Sequence, residues 1–389
     1  MSSYISSNAN RFYVAKESVY GQAAAVTGSN RFPAVRLHAH QTIQLGRRLD
    51  KTGTRTYLGS SNSSRRQTTF AVQTYLTSWN GLSEPSYGPF FEAGLGAPAA
   101  LSTGLTIASL PGVLQLQTSG PHGLSAGSAV SYGNEIRFVG AVVDPQTLFL
   151  NAPFKNGPQP GSLLAPTVTY SLSTALQSVT IYDFWDPITA VSRIVTGAAI
   201  DTMNISVNGD FHEFTFNGPA ADLLDSSSFL PGAAALANYP PEPVLGTFDY
   251  SIVPGHLGEV WLGGSASQFF TLTGASVEIK NNVAMRANEF GSSYPRAIAA
   301  GEREVVSRFS LLAQDDAQTV ALYTAAKQRS PIPALLQLGQ QQGQLMGIYM
   351  PNVVPEIPIY NDSALRLEWE FNNNLAQGIS NDEVFIAFA

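Results

Sequence analysis

Apolar and polar residues alternate along several stretches of the chain, and this period-two pattern predicts half-buried β-strands. Residues 69–76 and 202–207 alternate in this way, and Asn208-Gly209 after the second stretch is typical of a tight hairpin turn. The clearest strand is 365–371. Its apolar face consists of Leu365, Leu367, Trp369 and Phe371, and its polar face of Arg366, Glu368 and Glu370.

Helical spacing is rare, and the best candidate helix covers residues 315–328. Asp315 or Asp316 can cap its first N–H groups, which have no partner inside the helix. A shorter helical turn is predicted over residues 89–95, because it begins at a proline and is followed by a glycine. Apolar residues lie at helical spacing in the longer helix, at Ala317, Val320, Ala321 and Ala325.

The elements together predict a mainly β fold of sandwich or barrel domains, each with one short helix. Turn-rich segments bracket residues 104–165, where short strands follow one another closely, so we predict a small inserted β module there. A proline-rich passage at residues 239–243 indicates a linker. The first large domain would then comprise residues 1–103 and 166–238, and the second residues 239–389. Both run from a strand through a helical turn to later strands, which is the pattern of a duplication.

Charge is scarce and unevenly distributed. Only 13% of the 389 residues are charged, and the net charge is −7. Residues 1–80 contain 10 basic and 2 acidic side chains, whereas residues 81–280 contain 4 basic and 15 acidic ones. Such asymmetry fits either a nucleic-acid-binding arm or a basic surface that meets an acidic surface of another copy. The acidic whole favours self-assembly, since phosphates require net positive partners.

The inventory of reactive groups is thin. The chain has no cysteine, which excludes disulfides and thiolate chemistry. No 18-residue apolar run and no basic-then-apolar leader occur, so we expect an unexported protein without a membrane anchor. His38 and His40 share one strand face and could ligate a metal, but the alternative is two exposed polar positions. Asp183 and Asp186 flank Trp185, which fits either a carbohydrate site or an ordinary strand end.

Short motifs follow one another in a set order along the chain. They are Ala15–Ala23, Arg47–Arg55 followed by Arg65-Arg66, Gly88–Gly96, Gly197–Asn208, Glu289–Gly291 and Asn381–Val384. In this order they resemble the major tail tube proteins of long-tailed bacteriophages, over most of residues 11–103 and 166–389. The length matches a duplicated version of that family, in which a trimer mimics the usual hexameric ring.

The resemblance implies a structural subunit of the virion tail, without enzymatic activity or cofactor, assembled in the host cytoplasm. Copies would form stacked rings around a channel through which DNA passes during ejection without specific binding. Implied partners are the tape measure, tail terminator and distal tail proteins. Two alternatives stay open: another virion component, such as a capsid decoration or tail-tip protein, and a carbohydrate-binding β-protein.

The resemblance also assigns roles to particular residues. A basic loop would tie each ring to the next through Arg47, Arg48, Asp50, Lys51, Arg55, Arg65 and Arg66. The strand at 365–371 could line the channel with Arg366, Glu368 and Glu370. Its other face, Leu365, Leu367, Trp369 and Phe371, would pack against the helix at residues 315–328.

Overall fold

The computed structural model describes residues 4–46, 49–59, 65–79, 84–101, 104–244, 250–264 and 267–389. These residues form 27 strands and two α-helices, so the predicted mainly β class is confirmed. The first elements are β1 (Asn10–Lys16), β2 (Arg31–Phe32), β3 (Ala34–Ile43), β4 (Arg66–Tyr75), α1 (Gly88–Gly94) and β5 (Pro98–Leu101). Next come β6 (Ile107–Gly112), β7 (Gln115–Thr118), β8 (Ala129–Tyr132), β9 (Glu135–Asp144) and β10 (Thr147–Leu150).

The remaining strands return to the main body. They begin with β11 (Thr167–Ser171), β12 (Val179–Trp185), β13 (Arg193–Ala198), β14 (Thr202–Val207), β15 (Glu213–Ala220) and β16 (Asp222–Asp225). They continue with β17 (Gly258–Leu262), β18 (Ser267–Gln268), β19 (Leu272–Lys280), β20 (Ala284–Met285), β21 (Ile298–Ala299) and β22 (Glu304–Leu312). The last elements are α2 (Ala317–Gln328), β23 (Ile332–Leu338), β24 (Met346–Val354), β25 (Ile359–Asn361), β26 (Glu368–Ala376) and β27 (Phe385–Phe388).

Eight antiparallel strands form one continuous layer, which we call the joined sheet, in the order β3-β4-β15-β14-β19-β22-β26-β25. The first four strands come from residues 34–220, which we call the N-terminal half, and the last four from residues 272–376, which belong to the C-terminal half. The two sets meet where β14 pairs with β19, from Thr202 opposite Lys280 to Val207 opposite Ala275. Backbone hydrogen bonds therefore connect the two halves without a break.

The two halves repeat the same strand order. In the joined sheet, β3-β4-β15-β14 corresponds to β19-β22-β26-β25. In the layers behind it, β2-β1-β12-β13-β16 corresponds to β18-β17-β23-β24-β27. Helices α1 and α2 follow the equivalent strands β4 and β22. This correspondence supports the predicted duplication, although the residue limits proposed for the domains stay a prediction.

The core lies between the joined sheet and the layers behind it, and aromatic side chains fill much of it. Phe90 of α1 stacks on Phe216 of β15 with ring centroids 4.9 Å apart, and Phe309 of β22 stacks on Phe371 of β26 at 4.7 Å. Each buried ring of this kind stabilises the fold by roughly 1.5–3 kcal/mol. Alternation along the strands places Phe216, Phe309 and Phe371 on the same face of the joined sheet.

Residues 107–150 form a separate five-stranded sheet in the order β6-β7-β10-β9-β8. This sheet, which lies in the predicted insert, has its own small core that includes Ile107, Leu116 and Leu148. It also packs on the C-terminal half, where Phe138 stacks on Tyr349 with centroids 5.3 Å apart. The insert is therefore docked against the main body.

The helices form at the predicted places. The side chain of Asp316 accepts a hydrogen bond from the Thr319 N–H at 2.7 Å and so caps α2, as one of the two predicted candidates. Of the apolar residues at helical spacing, Ala325 packs against the core and Val320 is exposed, while the buried residues of α2 are Thr319, Leu322 and Ala326. The helix is oriented so that its largest aliphatic side chain, Leu322, lies in the core.

The predicted hairpin after β14 is confirmed, but its turn is longer than two residues. The last strand pair is Ser206 opposite Glu213, and Asn208 adopts the left-handed conformation at φ 65°.

No helix among the described residues is long and apolar enough to cross a membrane.

Candidate functional site

The joined sheet has one apolar face and one polar face. One row of paired residues across the joined sheet consists of Gln73, Thr215 and Asn204, on the successive strands β4, β15 and β14. The neighbouring positions Val72, Phe216 and Met203 point to the other side and are buried. Threonine, serine, asparagine and glutamine dominate the polar face, so this wall is hydrated and carries few charges.

The charges on the polar face are distributed by position. Edge strand β3 carries Arg36, His38 and His40 at alternating, exposed positions. Near the opposite edge, β26 carries Glu368 and Glu370. In the middle, Lys280 lies 3.6 Å from Glu278 and 3.9 Å from Glu304, so its charge is shared between two carboxylates. The remaining charged residues of this face are Glu213 of β15 and the exposed Arg308 of β22.

The two acidic residues of the predicted channel strand lie on this polar face. Glu370 pairs with Ser310 and Glu368 with Leu312 across β22, and the Asn361 amide donates to Glu370 Oε1 at 3.0 Å. The hydroxyl of Thr273 donates to Glu368. Arg366 lies two residues before β26, in an exposed bend.

The predicted core face of this strand is only partly correct in the chain as described. Phe371 is fully buried, and Trp369 packs on Tyr323 of α2 with centroids 5.4 Å apart. Leu365 is completely exposed and Leu367 is 37% exposed, because the strand begins at Glu368. The residues before Glu368 belong to the connection with β25, so alternation there does not correspond to a sheet position.

Both lateral edges of the joined sheet are open in the described part of the chain. Strand β3 pairs with β4 alone, and β25 pairs with β26 alone. An open edge exposes a row of unpaired backbone N–H and C=O groups, which is a template for pairing with another strand. The edges are thus candidate assembly surfaces.

The two ends of the joined sheet differ in charge. Strands β14, β22 and β25 run in the same direction, and after them come the exposed residues Asp210, Asp315 and Asp362. Strand β3 runs the opposite way, so the basic loop that follows it lies at the other end. One end of the sheet therefore carries these three aspartates, and the other end carries the basic loop.

The structure separates the residues of the predicted basic loop. Lys51 and Arg55 are exposed and make no ion pair with another described residue, and Asp50 lies in the same loop. Arg66 is the first residue of β4 and lies 3.3 Å from Asp222 of the same chain, which differs from the predicted loop position. Arg65 donates to the side chain and backbone of Asn288 at 3.0 Å, and Arg47 and Arg48 lie outside the described residues.

The alternative carbohydrate site does not have the electrostatics of an acid–base pair. Asp183 is buried and accepts hydrogen bonds from Arg193 and Asn10. Asp186 lies 2.5 Å from the Arg11 guanidinium, whose hydrogen bond holds the pKa of the Asp186 carboxyl below its usual range. A general acid needs a raised pKa.

The histidine pair does not meet further metal-ligating side chains among the described residues. His38 and His40 stand opposite Ala71 and Thr69 of β4. No cluster of three or more His, Cys, Asp or Glu side chains suited to a metal occurs within the described ranges.

The sequence did not reveal the main buried charge of the protein. Arg137 of β9 has no exposed surface and contacts Glu135 in the insert and Gln337 and Glu259 in the main body. A charged residue in a strand normally indicates a solvent-facing position, and the partners of Arg137 in the main body lie about 120 and 200 residues further along the chain. Only the spacing Glu135-x-Arg137 pointed to an ion pair.

Comparison with known proteins gives one family match. The family model described as phage tail tube protein matches residues 7–372, which is nearly the whole chain. No curated protein matches the sequence. Membership of this family gives a structural component of the virion tail and indicates a non-enzymatic role. The chain belongs to the phage tail tube protein family.

Proposed function

We propose that copies of this chain join through the two open edges of the joined sheet into a closed ring, and that rings stack into the tube through which DNA leaves the virion. The junction between β14 and β19 inside the chain carries this proposal. The strand β25 at one open edge is the counterpart of β14, and β3 at the other edge is the counterpart of β19. The same junction between two copies therefore brings β25 beside β3.

Ring closure removes the exposed edges that a single chain leaves open. A contact between two different edges is heterologous, so it propagates until the rotation closes. Because each chain supplies two equivalent units, three chains give the six units that the resemblance implies for a ring. Other numbers of chains are distinguished directly by the symmetry of the ring.

The polar face of the joined sheet is the proposed channel wall. Its hydroxyl and amide groups hydrate the surface, and its carboxylates include Glu278, Glu368 and Glu370. DNA binds tightly where basic groups neutralise its phosphates. A polar wall with more acidic than basic groups lets the duplex pass without being held.

Stacking is proposed to use the opposite charges at the two ends of the sheet. The basic loop with Lys51 and Arg55 would approach the acidic end of the next ring, where Asp210, Asp315 and Asp362 lie. Opposite charges favour head-to-tail stacking over the two reversed arrangements. The tape measure, tail terminator and distal tail proteins are then the expected partners inside the tube and at its ends, and assembly takes place in the host cytoplasm.

Negative-stain microscopy of the purified chain tests the proposal. We expect rings or tubes, and class averages viewed down the axis should show three-fold symmetry, or six-fold at low resolution, around an open channel. A chain that stays monomeric at high concentration, and that is missing from the tubes of virions, would overturn it.

Charge reversal in the basic loop tests the stacking step separately. Lys51→Glu with Arg55→Glu should leave rings intact and shorten or abolish tubes, while reversal of Lys327 at the end of α2 serves as a control on another exposed surface. The same reversal at Arg47 and Arg48 extends the test to the rest of the predicted loop. Tubes of unchanged length and yield would contradict the role of the loop.

A further inference from the structure

We propose that the root of the basic loop, residues 43–45, docks on Glu356 of the neighbouring copy in the same ring. This inference rests on the proposed ring, and the partner surface is a second copy of this chain. It assigns a particular acceptor to backbone N–H groups at the point where β3 passes into the loop. Lys51 and Arg55 lie further along the loop and stay available for stacking on the next ring. The support comes from a second loop of similar length, which the chain docks on itself at the junction between β14 and β19.

The docked loop belongs to the C-terminal half. Residues 281–303 join β19 to β22, and residues 44–65 join β3 to β4, so the two loops differ in length by one residue. At the start of the docked loop, the Asn281 N–H donates to the Asp201 carbonyl at 2.7 Å, and the Val283 N–H donates to the Asp201 carboxylate at 2.6 Å. Asp201 stands immediately before β14, so these bonds connect the C-terminal half to the N-terminal half.

Extra residues in β3 and β19 identify the counterparts of the two donors. β3 has one extra residue against β4 within residues 34–36, and β19 has one against β22 within residues 272–274. Alignment of these two irregularities makes Ile43 the counterpart of the first donor residue and Leu45 the counterpart of the second. The basic loop therefore begins with backbone N–H groups in the same places as those of the docked loop.

Hairpins of the joined sheet identify the counterpart of the acceptor. β14 and β15 form a hairpin that closes over residues 206–213, and β25 and β26 form one of the same length over residues 361–368. Five residues before these hairpins stand Asp201 and Glu356, so Glu356 is the counterpart of the acceptor. Two residues earlier still, both segments bond to the corresponding strands β15 and β26, which agrees with this alignment.

The donors and the acceptor are accessible in a single chain. The Gln44 N–H donates to the Arg65 carbonyl on the β4 side at 2.8 Å. Because successive N–H groups of an extended strand point to opposite sides, those of Ile43 and Leu45 point to the open edge. The Glu356 side chain is exposed, makes no ion pair with another described residue and accepts one long hydrogen bond from an amide at 3.4 Å. Its carboxylate can accept further hydrogen bonds.

Docking also covers an exposed apolar side chain. Asn281 is 2% exposed where the docked loop begins, whereas its counterpart Ile43 is 52% exposed in the single chain. The equivalent junction between copies buries Ile43. Removal of this apolar surface from water favours association.

Crosslinking tests the proposal, because the chain has no cysteine of its own. The test variant combines Leu45→Cys with Glu356→Cys, and a short bismaleimide joins the two thiols where they lie close together. Asp201→Cys with Val283→Cys is the positive control inside one chain. Glu213→Cys with Leu45→Cys is the negative control, because Glu213 lies on β15, away from the open edges. Circular dichroism confirms that each variant folds, and sedimentation separates rings from tubes before the thiols are joined.

We expect covalent dimers and trimers from isolated rings of the test variant, a crosslink within the chain from the positive control, and neither product from the negative control. Rings of the test variant without crosslinked copies would overturn the proposal while leaving the ring intact. Crosslinks that form in tubes and not in isolated rings would also overturn it, because the loop root would then join different rings. If the wild type forms no ring, both the ring and this docking are wrong.

Assembly of variants without cysteine measures the same contact independently. Leu45→Pro removes the N–H donor, Glu356→Ala removes the acceptor, and Leu49→Pro is the matched control further along the loop. The concentration needed for half-assembly should rise about tenfold in either of the first two variants and stay within about twofold of the wild type in the control. Their combination should lie within about twofold of either one, because both changes remove the same hydrogen bond. A combined rise of about a hundredfold would show that the two residues act independently and would overturn their pairing.

Discussion

Replacing Arg137 by methionine should release the insert from the main body. Arg137 has no exposed surface, and its guanidinium lies 5.0 Å from the Trp261 ring centre and 5.4 Å from that of Phe154. It donates to the Pro153 and Ile136 carbonyls at 2.8 Å and pairs with the buried carboxylate of Glu135. This single side chain therefore neutralises and orders the contact between the two parts.

The expected cost follows from what the substitution leaves behind. Methionine fills much of the same volume, but Glu135 and Glu259, each with a side chain only 7% exposed, lose the cation between them. Removing one partner of a buried ion pair costs about 3–5 kcal/mol. Lys155→Met is the matched control, because Lys155 also pairs with Glu259, at 2.7 Å, but is 41% exposed. An exposed pair of this kind contributes about 0–1 kcal/mol.

Hydrogen exchange read by mass spectrometry measures the release directly. Amides of β8 and β9 should exchange about 10²- to 10³-fold faster in Arg137→Met and little faster in Lys155→Met, if local opening limits exchange. The loss of stability caused by Arg137→Met should be smaller at pH 5 than at pH 7. Burial raises the pKa of Glu135 and the Arg137 charge opposes that rise, so without Arg137 the folded state takes up a proton more readily than the unfolded one. Equal exchange in the two variants at pH 7 would refute this account of the interface.

Two further predictions concern the N-terminal strand. Burial raises the pKa of Glu242, but hydrogen bonds from Arg11 and Tyr13 outweigh it and hold the pKa below the usual 4.5. Glu242→Gln should therefore destabilise the protein by about 1–2 kcal/mol at pH 7. Urea unfolding should show this difference disappearing as the pH falls below 4.5 and through the lowered pKa of Glu242. The buried Glu17 carboxylate accepts four hydrogen bonds, among them from the Gly21 and Gly197 N–H groups at 2.8 and 2.7 Å. Glu17→Ala should lower the free energy of unfolding by at least about 3 kcal/mol in the same assay. A loss below about 1 kcal/mol would show that water replaces these contacts.

Regular alternation made the strands readable from the sequence, and the helix ends followed from a capping aspartate and a starting proline. The errors arose where a local sequence pattern does not specify the tertiary contacts of the segment. Leu365 continues the alternation of β26 but lies in the connection before it. Val320 is apolar and at helical spacing, yet the face of α2 that meets the core is set by the strands packed beneath it.

The candidate assembly surfaces depend even more on distant residues. The order of strands in the joined sheet brings β14 beside β19, about 70 residues later, and no local signal specifies that pairing. Which strands stay at the open edges follows only from that order. For the same reason no local pattern identifies Arg137 as buried, since its partners Glu259 and Gln337 are supplied by another part of the chain.

The β14–β19 junction has a consequence for how fast a ring can form. In the proposed ring every second lateral contact lies within a chain, so it forms during folding and does not depend on subunit concentration. Linking two binding units by a peptide replaces a bimolecular encounter by an intramolecular one with an effective concentration in the millimolar range. A three-chain ring thus needs two successful collisions where six separate units would need five. Fusion of the repeats therefore lowers the entropic barrier to forming the first ring. Elongation of the tube then depends on the proposed stacking through the charged loops.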